Sequence, residues 1–154
     1  MDILKQIEKE RGMVARIYSD FSKFPQSVAA HYPLNKALML SENAPLARAE
    51  RELLAYITSE QNENEYCGTH HKRAFENYEK EIVPHRVTLL KELAIGLTSN
   101  PDTASKLKEK FIGSDFTEAE WQHAVNIVAY FNFTNRLAFA MDMRLEEGFE
   151  KSCN

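Results

Sequence analysis

The stretch Arg48 to Phe75, RAERELLAYITSEQNENEYCGTHHKRAF, decides how the chain is read. Ala49, Leu53, Tyr56 and Ile57 recur at three- and four-residue spacing, which predicts an amphipathic helix buried along that stripe. Glu52 neighbours Ala49 and Tyr56 on the helix surface, so it sits at the edge of the stripe and can face inward. The polar run Gln61-Asn62-Glu63-Asn64 then breaks the pattern, and Asn64 is a suitable N-cap for a second helix. With Asn64 as cap, Cys67 falls at N3, where free backbone N–H groups and the helix dipole favour a thiolate. His70 and His71 follow one turn later. A thiol near a helix start, an imidazole at i+4 and a carboxylate on the neighbouring helix are the parts of a reactive-cysteine site.

Toward the N-terminus, Ile3, Leu4 and Ile7 mark a short helix stopped by Gly12. Val14, Ile17, Tyr18, Phe21 and Phe24 predict an amphipathic helix that ends at Pro25. Pro25 in turn suits the first position of the next helix, in which Pro33 is expected to cause a kink or a split. Residues 41–45 read as a turn. Beyond the central stretch, the second helix is expected to run through Phe75, Tyr78 and Ile82 and to stop before Pro84. Val87, Leu90, Leu93 and Ala94 predict another helix, ended by Gly96. A turn at residues 99–102 precedes a charged helix that Gly113 closes. Thr117-Glu118-Ala119-Glu120 is a capping box that opens the longest helical pattern, residues 118–145. That pattern is apolar on nearly all sides, as in a helix at the centre of a fold or at a subunit interface. Residues 150–154, with Cys153, read as a loose tail.

The chain has 154 residues, enough for one domain with a sizeable core, and the reading is a single domain over 1–154. No period-two strand pattern occurs, and five Gly and five Pro are few for the turns of an all-β fold. Two cysteines are too few for a disulfide scaffold. The net charge of −4, with no Lys/Arg run, argues against a nucleic-acid partner. The charged opening MDILKQIEKERG is neither a signal peptide nor a membrane anchor, and no apolar run approaches a spanning length. A cytoplasmic protein without a membrane partner is the expectation.

The central stretch resembles the alkylhydroperoxidase D-like branch of the carboxymuconolactone decarboxylase family. Arg51-Glu52-Leu53 matches that family's Glu, Cys67 the second cysteine of its Cys-x-x-Cys, and His71 the histidine four residues later. Tyr66 falls where some members place an active-site histidine, and Asn64 stands where the family has its first cysteine. The run AVNIVAYFNFTNRLA, with Asn132, Asn135 and Arg136, is similar to the family's last long helix. The resemblance implies an all-α helical bundle that forms a homo-oligomer, commonly a dimer, trimer or hexamer. It also implies thiol-dependent reduction of hydroperoxides with Cys67 as the reacting thiol. Asn64 departs from the pattern, so no disulfide can close inside the motif.

On this reading Cys67 attacks the peroxide and becomes a sulfenic acid, and His71 relays the proton, with Glu52 orienting it or accepting its proton. Tyr66 is a candidate substrate-binding residue, and Cys153 a candidate resolving thiol beside an external small thiol. The partners implied are a hydroperoxide and a thiol reductant; no cofactor is expected. Nor is a metal, because adjacent histidines point apart on a helix and neither Cys-x-x-Cys nor HExxH occurs. Asn132 and Asn135 read as buried structural polar groups. Two other functions fit the same residues. One is a decarboxylase or lyase acting on a small carboxylic lactone through the acid–base pair. The other is a non-catalytic or redox-sensing oligomeric module.

Overall fold

The computed structural model describes residues 2–154. Among them there is no strand, and the chain is a bundle of helices. Helix α1 (Ile3–Arg11) starts where the Asp2 side chain accepts a hydrogen bond from the Leu4 N–H, and ends at Gly12, whose φ of 78° a side chain would resist. The helix expected over residues 14–24 is reduced to α2 (Arg16–Ser19), followed by tight turns. Its first amides are held by distant groups: Arg16 N–H by the Glu146 carboxylate and Ile17 N–H by the Tyr66 hydroxyl. Ile17 and Phe21 each pack against two clusters of buried residues.

Helix α3 (Pro25–Asn35) opens on Pro25 as expected and continues through Pro33 without splitting. The irregularity comes later, as a π-helical turn over Lys36–Leu40 closed by Ser41 N–H to the Lys36 carbonyl. The buried Arg51 guanidinium donates to the carbonyls of Met39 and Ser41, at 2.8 and 3.0 Å. His123 bonds the Leu38 carbonyl through Nε2 and accepts from Leu46 N–H at Nδ1. Side chains from two other helices thus satisfy carbonyls that the widened turn leaves free.

Helices α4 (Arg48–Gln61) and α5 (Glu65–Tyr78) form an antiparallel hairpin, with α6 (Pro84–Ser99) and α8 (Glu118–Ala140) packed on α4. Helix α4 is buried more widely than its predicted stripe. Leu54, Ala55, Thr58 and Ser59 are inside, as are the charged Glu50, Arg51 and Glu52, while Tyr56 and Ile57 are half-buried. The core gathers Leu53, Leu54, Leu90, Leu93, Phe111, Ile127, Val128 and Phe131. Arg86, stacked 3.8 Å over the Phe116 ring, bridges Glu50 of α4 and Glu120 of α8 at 2.7 and 2.6 Å. Three helices are therefore joined by one cation between two carboxylates.

Gly96 does not end α6, which runs on to Ser99. A side chain at Gly96 would meet Leu107 of α7 (Ser105–Ile112) at 3.2 Å, so the glycine sets how closely α7 packs. Helix α8 begins at the expected capping box, with Thr117 and Glu120 bonding each other's backbone amides. It ends at Ala140 rather than Leu145, and Asp142, with φ of 44°, turns the chain back along the bundle. The last residues are not a loose tail: Phe149–Cys153 form a 3₁₀ turn docked against α5, with Cys153 only 3% exposed. No helix among the described residues is long and apolar enough to cross a membrane.

Candidate functional site

The turn between α4 and α5 is built from amides. Asn64 caps α5 by accepting from Cys67 N–H at 2.9 Å, and its own amide donates to the Asn135 carbonyl. Asn62 donates to the side chains of Asn132 and Asn135, and Asn135 donates to Ser59 Oγ at 3.0 Å. Asn135, buried as expected, and Asn132, only half-buried, thus fix the hairpin against α8. Asn64 occupies the first-cysteine position of the resembling motif as a cap, and places Cys67 at N3 of α5.

Glu52 lies on the second turn of α4, 1% exposed, facing α5. One oxygen accepts from Arg48 Nε at 2.6 Å and the other meets His71 Nδ1 at 2.7 Å. Burial alone would raise the carboxyl's pKa. The His71 ring and the Arg48 guanidinium outweigh it, so Glu52 ionises below its usual value. An ionised Glu52 accepts a hydrogen bond from the Nδ1–H of His71, which fixes the orientation of the ring. Among the described residues Nε2 has no hydrogen-bond partner, while Phe131 packs edge-on against the ring at 4.4 Å between centroids.

Cys67 is 4% exposed. Burial pushes its thiol up to about 12; the Asn135 side chain pulls the other way and the Glu146 carboxylate adds to the rise. The expected preference for a thiolate at the helix start is therefore outweighed. A helix terminus contributes up to about 2 kcal/mol to a partly buried charge, whereas full burial can move a pKa by several units.

Glu52, Tyr66, Cys67, His71 and Cys153 all line one cavity of about 110 Å³. Apolar side chains, among them Ile7, Ile17, Met39 and Leu40, complete its wall, and Arg48 sits at its polar end. The Tyr66 hydroxyl is already engaged: it donates to Glu146 at 3.1 Å and accepts from Ile17 N–H. His70 faces away from Glu52. Its Nε2 pairs with Glu146 at 3.3 Å, its Nδ1 meets Ser152 Oγ at 3.2 Å, and its ring lies between Tyr66 and Phe149. Glu146 is held to about 2; burial works against this, and the bonds from His70 and from Arg16 N–H prevail. Cys153 Sγ points to the His70 carbonyl at 3.4 Å.

Sequence reasoning missed Glu146, for no spacing ties a residue of the C-terminal segment to Tyr66 and His70. It also missed the buried trio Tyr18, His31 and Tyr130, in which His31 Nε2 meets the Tyr130 hydroxyl at 2.5 Å and Tyr18 packs edge-on against His31. Burial lowers His31 to about 4, so it is neutral at pH 7. Among the described residues, no three His, Cys, Asp or Glu side chains are placed to hold a metal ion.

Against solved structures the chain is similar to the alkylhydroperoxidase AhpD core of an uncharacterized peroxidase-related protein from Ralstonia eutropha JMP134. The TM-score is 0.84 and the identity 22%, over 97% of this chain and 86% of that one. A peroxidase-related protein from Silicibacter sp. TM1040 aligns with a TM-score of 0.82 and 21% identity, over 98% and 86% of the two chains. The apo debrominase Bmp8 aligns with a TM-score of 0.69 and 15% identity, over 99% and 88%. No family model matches the sequence, and no curated protein matches it. The fold is the all-α fold of the alkylhydroperoxidase D-like proteins.

Proposed function

We propose that the protein is a thiol-dependent oxidoreductase that reduces hydroperoxides through Cys67, with His71 as the base and Glu52 as its anchor. The observation that carries this reading is the Glu52–His71 pair. It lines the same cavity that holds the one thiol at the start of α5, and leaves His71 Nε2 without a hydrogen-bond partner among the described residues. His71 Nε2 takes the Cys67 proton as the sulfur attacks one peroxide oxygen. The O–O bond breaks, two electrons pass from sulfur to the peroxide, and His71 returns the proton to the departing alkoxide. The products are an alcohol and a Cys67 sulfenic acid. Reducing equivalents from two thiol groups of a reductant then restore Cys67 through a disulfide, with the sulfenic oxygen leaving as water. Tyr66 contributes its ring to the substrate wall; its hydroxyl would bind a substrate oxygen by leaving Glu146.

The test is sulfenic-acid trapping with dimedone on the full chain after brief exposure to tert-butyl hydroperoxide, read by peptide mass spectrometry. Label on Cys67 is expected, formed about a hundredfold or more slowly in His71→Ala, the usual size of a general-base contribution. A wild-type Cys67 that peroxide leaves unchanged, neither labelled nor in a disulfide, would refute the reading. Consumption of a carboxylic lactone by Cys67→Ser as fast as by wild type would instead assign the site to acid–base chemistry without the thiol.

A further inference from the structure

The sequence holds two sulfhydryls, and the fold brings both to the wall of the same cavity although 86 positions separate them. Cys67 enters from the first turn of α5, and Cys153 from the 3₁₀ turn that docks on that helix. The docking is specific. Arg11 donates to the carbonyls of Ser152 and Asn154 at 2.7 and 3.0 Å, and Asn77 donates to the Cys153 carbonyl. Ser152 bonds His70, and Phe149 packs edge-on to the same ring. Glu146, just before the turn, ties His70, Tyr66 and the Arg16 amide together. Polar clasps of this kind hold the segment over the cavity, yet no large apolar side chain anchors it in the main core. A segment held by polar clasps in that way can shift along α5 at small cost compared with any core helix.

Meanwhile Asn64 has both ends of its amide committed, to Cys67 N–H and to the Asn135 carbonyl. The turn therefore offers Cys67 no neighbouring sulfur, and the second thiol has to come from elsewhere in the fold.

Building on the hydroperoxide reading above, we propose that Cys153 is the resolving thiol for Cys67, so that the docked C-terminal turn is half of the redox site. After peroxide has converted Cys67 to its sulfenic acid, the Cys153 sulfur attacks the Cys67 sulfur. The S–O bond breaks, hydroxide leaves and takes the Cys153 proton as water, and a Cys67–Cys153 disulfide forms. No further oxidant is needed, since the two electrons passed to the peroxide in the first step are balanced by two thiols becoming one disulfide. An external dithiol then opens the bond by exchange and leaves as its own disulfide. A disulfide needs Cα atoms about 4.4–6.8 Å apart, so closure draws the turn toward the start of α5 and reworks the His70–Ser152 contact. His70 thus serves as the latch of this segment, and His71 as the base.

The experiment exposes the full chain, as wild type and Cys153→Ser, to one equivalent of tert-butyl hydroperoxide. The samples are blocked with N-ethylmaleimide, digested without reduction and analysed by mass spectrometry, with parallel dimedone trapping. Far-UV circular dichroism checks that the variant is folded, and Cys153→Ala serves as the second variant. A cross-linked Cys67–Cys153 peptide from monomeric protein is expected in wild type. In both variants dimedone label on Cys67 should persist at least tenfold longer. Equal label lifetimes with no cross-link would overturn Cys153 as the resolving thiol while leaving the peroxide chemistry intact. A cross-link found only between two chains would also overturn it. Absence of any peroxide-dependent change at Cys67 would refute the underlying function, and the inference with it.

Discussion

Replacing Glu52 with Gln removes one charge and little volume from the most buried carboxylate in the chain, and its consequences are separable by pH. In the native protein that carboxylate faces Arg48 at 2.6 Å and His71 at 2.7 Å, at 1% exposure. Breaking a buried ion pair by removing one partner costs about 3–5 kcal/mol. Arg48 retains 16% of its side-chain exposure and lies 5.0 Å above the Tyr78 ring, so part of its charge stays solvated. A loss of about 2–3 kcal/mol at pH 7 is therefore expected, corresponding to a fall in Tm of roughly 4–12 °C for a chain of this size. The pH dependence has a defined sign. The folded state holds Glu52 below its usual 4.5, so the carboxylate's contribution is complete above that value. It is lost as pH falls through the lower folded value, where the native state must also take up the proton. The gap between wild type and Glu52→Gln, measured by urea unfolding, should be widest near neutrality and shrink below pH 4.5. A gap constant from pH 7 to pH 3, or a variant as stable as wild type at pH 7, would refute the assignment of Glu52 as an ionised anchor.

Two further perturbations test the surroundings of the thiol. Asn64→Ala removes the α5 cap and the donor to Asn135, and should cost about 1–2 kcal/mol in denaturant unfolding; a loss under about 0.3 kcal/mol would mean that the cap is idle. Glu146→Gln weakens the clasp on His70, Tyr66 and Arg16 and should raise N-ethylmaleimide labelling of Cys153 about tenfold, the factor given by roughly 1.4 kcal/mol of easier local opening. In wild type, Glu146 is held to about 2. Its hold on the segment is therefore complete above pH 4.5 and should be lost only as pH falls through about 2, whereas early release near pH 4 would contradict the pairing.

What the sequence made legible follows from the range of the forces involved. The α4–α5 hairpin, the Asn64 cap, the N3 position of Cys67 and the capping box at Thr117 are local, each set by residues within four positions of one another, and each stands where the pattern put it. Gly96 and Pro33 misled for a common reason. A helix breaker is a weak local preference, and here packing overrides it: α7 needs the missing side chain at Gly96, and α3 is continued into a π turn whose carbonyls Arg51 and His123 satisfy. The start of α2 at Arg16 and the docked C-terminal turn were illegible because their causes are long-range. Arg16 is held by Glu146 across 130 positions, and Arg11 holds Ser152 across 141. No periodicity records a bond of that span. The ionisation of Cys67 failed differently: its position was correct, but burial is a property of the whole packed bundle, and it outweighs the helix terminus.

That raised pKa bears directly on whether the thiol can react. Moving it from 9.0 to about 12 lowers the thiolate fraction at pH 7 about a thousandfold. Two effects act against the loss. A more basic sulfur is intrinsically more nucleophilic, and with a Brønsted slope of about 0.4–0.5 three units return roughly twentyfold. The remaining factor of about fifty lies below the 10²–10⁴ that a positioned general base supplies. A buried Cys67 is thus workable only if its proton leaves to a neighbour as the sulfur attacks, and the neighbour with a free lone pair on the same cavity is His71 Nε2. Burial then keeps the resting thiol protonated and poorly reactive toward solutes that do not enter the cavity. On the proposed mechanism, the burden of activation passes from the helix terminus, where the sequence pattern put it, to the Glu52–His71 pair on the facing helices.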